Sequence, residues 1–404
     1  MKKLSGMNWI ISFFIMIICC LLSGIVHTDP FATSFSDKPE HAVLLIIDGL
    51  SYKVWDKMEL SVLEKMAVGG ALVEKNYLPP AAHPTTGAYR ELHSGSIPNP
   101  ILMAGTVFIT KETRYLQECF YPGKTTAFVT NSLAYETISY KYHYTYQKRG
   151  RDSDAVEMAL EFMKLGKPSF MRVHLQDSGG AGSGSMRAGK DKNWRWNIWA
   201  DNSPYRVTVN RADSLVGEFI KGLEKQGILD KTVLIVMGDH GQNDTGWHPL
   251  EYLDSSITSI VLWGAGIKKG VKIPYSEQID VVPTICELMD VEPPETSQGR
   301  IIAEAFINFT KKITPRRKNI KELNELLIEY RKKMSETAYM LEKMTSGNQG
   351  NLFSKLNREI RERFYDINRF SEWPRFQTVE ELLENNRNVM KNLDEIMDEI
   401  RSEQ

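Results

Sequence analysis

The chain has 404 residues, of which 42% are hydrophobic, 25% charged and 10% aromatic. This is an ordinary globular composition, long enough for two or three domains or for one large α/β domain with an extension. A formal net charge of -1 excludes a strong global field, so there is no bulk electrostatic signal for nucleic-acid binding.

The N-terminus departs from that average. Lys2 and Lys3 precede an uncharged run from Trp9 to Val26. A basic flank before an apolar stretch is what the export machinery reads. The run is also long enough to span a bilayer as a helix, which needs roughly 17–25 residues. Residues 1–30 are therefore expected to be a signal peptide or a signal anchor. The remainder would then be extracytoplasmic, either secreted or membrane-associated through this segment. Ser23-Gly24 offers small residues for cleavage, whereas the bulky Met16-Ile17-Ile18 argues against lipidation of Cys19 or Cys20. The other two cysteines are Cys119 and Cys286. A disulfide between them is open to an exported protein, but Cys286 lies in the apolar helical stretch Thr284-Ile285-Cys286-Glu287-Leu288 and reads better as a buried thiol.

From about residue 41 to 306, short apolar runs alternate with amphipathic segments. Val43–Ile47 is a continuous apolar run ending in Asp48-Gly49, and Ser169–Leu175 is a second, ending near Asp177. Asp213 to Gln226 reads as a helix with Leu215, Phe219 and Leu223 on one face. Val233–Met237 follows, ending in Gly238-Asp239-His240-Gly241, and Ser259–Trp263 is a fourth strand. Uninterrupted apolar strands between helices predict an α/β domain with a mostly parallel sheet covered on both faces. In such sheets ligands bind beyond the carboxyl ends of the strands, where Asp48, Asp177 and Asp239-His240 all fall.

After about residue 310, Leu323, Leu327, Tyr330, Met334, Thr337, Leu341 and Met344 form a heptad-like stripe, and a second helical pattern runs from Val379 to Ile400. Residues 311–404 are expected to be a helical extension, either packed on its own domain or free to bind a partner.

Asp239 and His240 side by side at a turn offer a hard oxygen and an imidazole nitrogen, a mixture suited to zinc, with His248 eight residues on. Gly238–His248, the later Trp263-Gly264-Ala265-Gly266, the segment Gln278–Ile285 and Ser297-Gln298-Gly299 occur in an order that resembles the alkaline phosphatase superfamily. The nearest likeness is to its type I phosphodiesterase/nucleotide pyrophosphatase and glycosyl-anchor ethanolamine-phosphate transferase branches. The resemblance implies an alkaline-phosphatase-like catalytic domain over 38–308, with one or two divalent metals, usually zinc. It implies a hydroxyl nucleophile ten residues before Gly95, which is Thr85, with Thr86 as the fallback. One metal would take Asp48, Thr85, Asp239 and His240; the second would take Asp177 and His248. The family's additional histidine, four residues after the aspartate, is replaced here by Ala181, so His174, Asp201 or water would have to complete the second site. The insertion 187–201 carries Trp194, Trp196 and Trp199, which fit either substrate contact or packing. Implied by the resemblance is a metal-dependent hydrolase of phosphate esters, phosphodiesters foremost. Pro84-Thr85-Thr86-Gly87-Ala88 lacks the C/S-x-P-x-R setting of a sulfatase nucleophile. The alternative is a silent or one-metal relative that binds a partner at the membrane through its C-terminal helices. Oligomeric state is not legible.

Overall fold

Continuous apolar runs are stable as strands only where both faces of the sheet are covered, and the chain places two of them at the sheet's centre. The computed structural model describes residues 29–80, 84–97, 114–249, 251–345 and 347–403, with the side chains of 84–88, 136 and 137 outside the description. The export segment expected over 1–30 therefore lies almost wholly outside the described residues, among which no helix is long and apolar enough to cross a membrane. Residues up to Ser34 form a unit of their own, described only from a 3-10 turn at Pro30–Ala32; Phe35–Gln404 form the other unit.

The strands are β1 (His41–Ile47), β2 (Ala71–Tyr77), β3 (Thr126–Thr130), β4 (Tyr144–Gln147), β5 (Phe170–Leu175), β6 (Thr232–Met237), β7 (Ile257–Gly264), β8 (Val271–Ile273) and β9 (Ser276–Glu277). They build one sheet in the order β4-β3-β5-β1-β6-β7-β2-β8, with β9 beside β2. Every residue of β1, β5 and β6 is buried. β4, β3, β5, β1 and β6 are parallel, whereas β7 runs antiparallel to both β6 and β2. The mostly parallel sheet expected from the apolar runs is thus present, with one reversed strand.

The α-helices of eight residues or more among the described residues are α1 (Ser61–Gly69), α2 (Pro84–Ser94), α3 (Asp152–Gly166), α4 (Asp177–Met186), α5 (Pro204–Lys225), α6 (Val281–Leu288), α7 (Asn319–Glu342), α8 (Gln349–Leu356) and α9 (Val379–Ser402). The helix expected from Asp213 begins nine residues earlier, at Pro204. The reason is local: Ser203 accepts the Arg206 amide as N-cap, and proline at the first position loses no hydrogen bond.

The C-terminal stripe is helical as its spacing predicts, and it is packed on the same molecule. Leu323, Leu327, Tyr330, Leu341 and residues of α9 share one apolar cluster with Tyr77, Ile257, Tyr275 and Ile279 from the sheet side. Polar contacts fix the junction. Asn324 donates to the Leu78 carbonyl at 2.6 Å, and the Glu277 carboxylate accepts the Ile320 amide at 3.1 Å at the start of α7.

Candidate metal centre

Because β1, β5 and β6 are parallel neighbours, their carboxyl ends open on the same side and deliver their following residues to one place. Asp48 ends β1. Gly49, at φ +67°, makes a turn that an L side chain would strain, and its amide donates to Asp239 Oδ1 at 2.9 Å. The His240 amide donates to the same oxygen at 3.1 Å, and Gln278 Nε2 holds the Asp239 carbonyl at 3.1 Å. One oxygen of Asp239 is therefore fully engaged in shaping the turn.

The other oxygen is not. Asp239 is fully buried, and its Oδ2 has no hydrogen-bond partner. His240 Nδ1 lies 2.8 Å from the Gly241 carbonyl, which fixes Nδ1 as the protonated nitrogen and leaves Nε2 as the basic one. That Nε2 is 3.7 Å from both Asp239 Oδ2 and Asp48 Oδ1. Asp48, Asp239 and His240 each offer a ligand atom, all within 4.8 Å of one another. Two hard oxygens and one imidazole nitrogen, buried with an unpartnered carboxylate oxygen between them, fit a divalent cation.

Asp48 is oriented by its second oxygen. Oδ2 accepts from Gln176 Nε2 at 2.7 Å and Tyr135 Oη at 3.2 Å, and lies 3.3 Å from His174 Nε2. Burial pushes the Asp48 carboxyl up, but the His174 hydrogen bond and the field of His240 outweigh it and hold it at about 2. For Asp239, burial and then the charge of Asp48 raise the pKa. A glycine-rich helix closes the site: a Cβ on Gly179 of α4 would sit 1.8 Å from Asp48 Oδ1, and one on Gly182 would sit 1.6 Å from Gln242 Oε1. Only a bare backbone can approach that closely.

The remaining expected residues divide. The His248 ring lies 4.3 Å, centroid to centroid, from that of His240, and stacks on Trp247 at 4.2 Å. Asp177 has a set of partners of its own: Oδ1 accepts from Asn131 Nδ2 at 3.1 Å and Oδ2 from the Asp152 amide at 3.4 Å, while its own amide donates to Asp152 Oδ1 at 3.1 Å. Ala181 lies in α4 and offers no ligand atom. His174 orients Asp48, and Asp201 is at the surface paired with Arg206 at 2.9 Å. Thr85 stands in the first turn of α2; its side chain, like that of Thr86, lies outside the described residues. In the insertion, Trp199 Nε1 donates to Asp244 at 2.8 Å and Ile198 is fully buried, so this part is packing; Trp196 is 51% exposed. Tyr135 and Gln176 carry no motif that would mark them in the sequence, and Gln242 and Gln278 lie inside quoted motifs without being singled out there.

Residues 106–291 match the Sulfatase family model. That stretch contains Asp177, Asp239, His240 and His248 and leaves out Asp48 and Thr85. GPI ethanolamine phosphate transferase 3 of Schizosaccharomyces pombe is 30% identical over 139 residues, covering 32% of this chain. The match spans only 14% of the transferase's own length. In three dimensions the chain is similar to a phosphonate monoester hydrolase from Silicibacter pomeroyi, with a TM-score of 0.53 and 14% identity over 67% of this chain and 78% of that one. It is also similar to an alkaline phosphatase superfamily protein from Vibrio parahaemolyticus, at 0.51 and 18% over 71% and 72%. The chain thus shares its fold with these two structures, one of them an alkaline phosphatase superfamily protein.

Proposed function

We propose that this chain is an exported, divalent-metal-dependent hydrolase of phosphate esters, phosphodiesters foremost, with Asp48, Asp239 and His240 as the metal-holding residues and Thr85 as nucleophile. The observation that carries the reading is the buried, unpartnered Asp239 Oδ2 facing His240 Nε2 and Asp48. The likeness to an ethanolamine phosphate transferase and to a phosphonate monoester hydrolase supports ester chemistry at phosphorus. Zinc suits the mixed oxygen and nitrogen donors. Bound there, a divalent cation supplies charge stabilisation at phosphorus and lowers the pKa of an oxygen nucleophile.

The chain's residues have separable parts in this reading. Asp48 is kept ionised and oriented by His174, Tyr135 and Gln176. His240 presents Nε2 because Gly241 takes its Nδ1 proton. Thr85 attacks phosphorus, expelling the alcohol and leaving a phosphothreonine that water hydrolyses, while amides of the first turn of α2 attract the anion. Ala181 and the engaged oxygens of Asp177 favour a one-metal centre, with His248 beside it. Residues 38–308 would form the hydrolase domain, residues 311–404 its helical extension, and 1–30 the export segment.

The test is metal analysis of the purified full chain together with turnover of aryl phosphodiesters, phosphomonoesters and sulfates under zinc or manganese. The diester should turn over fastest, and Thr85→Ala should abolish it. No metal and no turnover of any ester would leave the silent, partner-binding reading in its place.

A further inference from the structure

Two thiols meet in the apolar core, and neither has a part in the chemistry proposed above. Cys119, in the 3-10 turn Leu116–Phe120, and Cys286, in α6, are 6% and 0% exposed and belong to one apolar cluster. The turn and α6 pack against each other, which brings the two thiols together, and Cys119 donates to the Tyr115 carbonyl at 3.5 Å. Further contacts tie the two segments together nearby. Arg114 Nε pairs with Glu295 at 2.7 Å and Arg114 Nη2 donates to the Pro293 carbonyl at 3.1 Å; Lys124 Nζ donates to the Met289 carbonyl at 2.9 Å. Two buried thiols on packed segments that are also tied together nearby are an arrangement in which closing a disulfide asks little of the fold.

We propose that Cys119 and Cys286 form a structural disulfide when the chain folds in an oxidising compartment. The proposal rests on the exported location assigned above but not on the hydrolase activity. The oxidant is a disulfide-donating thiol oxidoreductase of that compartment. The Cys119 thiolate attacks the donor's disulfide and forms a mixed disulfide, releasing one donor thiolate. Cys286, having lost its proton, attacks the Cys119 sulfur, and the second donor thiolate leaves. The donor thus gains the electron pair and both protons that the two protein thiols lose. Because both sulfurs are buried in the folded chain, the exchange belongs to folding, before the core closes. The bond would close a loop spanning β3 to β9, a long constraint on the unfolded chain. It would also fix the floor under α2, which packs on both the Leu116–Phe120 turn and α6.

The full chain, purified without reductant from the extracytoplasmic fraction, is alkylated under denaturing conditions and mapped by mass spectrometry before and after reduction. In parallel, reduced chain is refolded in a glutathione redox buffer. Expected in both is a non-reduced peptide pair joining Cys119 to Cys286 in nearly every molecule, with reduction lowering the melting midpoint by a few degrees. Both cysteines alkylated in the exported chain, or after glutathione refolding, would overturn the proposal. Recovery from the cytoplasm alone would count against export, and the glutathione arm then decides the pair by itself.

Discussion

Two carboxylate pairs stand beyond strand ends of the same sheet, Asp48 and Asp239 both buried, Asp152 buried and Asp177 half-buried, and they are neutralised in different ways. At the ends of β1 and β6, Asp48 is held ionised at about 2, beside Asp239 and the basic nitrogen of His240. Between β3 and β5, Asp152 and Asp177 face each other across Asn131 with no imidazole, and burial followed by the charge of Asp177 pushes Asp152 up to about 7. Each cluster keeps one buried oxygen without a hydrogen-bond partner, Asp239 Oδ2 in the first and Asp152 Oδ2 in the second. Two carboxylates buried together need a positive partner. In the second cluster a proton suffices, because the Asp177 amide and Asn131 satisfy the rest. In the first, the nitrogen donor and the ionised Asp48 offer ligand atoms that could hold a metal cation.

The sharpest break in this comparison is between Asp239→Asn and Asp177→Asn. Removing the Asp239 charge should cost at least about a thousandfold in ester hydrolysis and empty the metal site, measured by turnover and metal analysis. Asp177→Asn should keep its metal and lose less than about tenfold. Equal losses would mean that both clusters hold metal and that the distinction drawn above is wrong.

Next in size is Gly179→Ala, whose methyl would displace the Asp48 carboxylate. About a hundredfold loss is expected, while Gly180→Ala, which meets nothing within 4 Å, should stay within about twofold of the parent. Parallel losses in the two variants would point to helix geometry rather than to the close approach at Asp48. Tyr135→Phe removes one of the groups orienting Asp48 and should cost about tenfold with the metal retained.

The smallest effect is a slope of stability with pH at the proton-neutralised cluster. The folded pKa of Asp152, about 7, lies above its ordinary value of 3.8, so the folded chain holds a proton that the unfolded chain releases between them. The stability this contributes is complete below about 3.8 and is lost as pH rises through 7. The melting midpoint should fall by a few degrees between pH 5 and pH 8.5, and Asp152→Asn should flatten that fall. A slope unchanged in the variant would assign the proton to another group, with Glu277, also raised to about 7 by burial and Asp280, the next to substitute.

How much of this was legible depended on the range of the interactions. The apolar runs ending at Asp48 and Asp239 could be read directly, because strand burial and the chemistry of a strand end are both local in sequence. Helix α5 was read short because its periodic face begins well inside it, while its true start depends on the Ser203-Pro204 cap. Asp177 looked equivalent to Asp48 by position, since both follow apolar strands. What separates them is the company of Asn131 and Asp152 on one side and of Asp239 and His240 on the other, residues 25 to about 190 positions away.

By itself, the sequence determined the layered α/β fold, the strand-end residues facing one end of the sheet and the helical C-terminus, because side-chain periodicity and local turns encode these. Only the tertiary structure decided which carboxylates meet and which oxygen is left unpartnered. It also decided that the glycines of α4 lie against Asp48 and that the C-terminal helices cover this chain's own sheet. Those outcomes depend on distances between distant segments, and a buried charge is stabilised or stranded by the neighbours that packing brings to it.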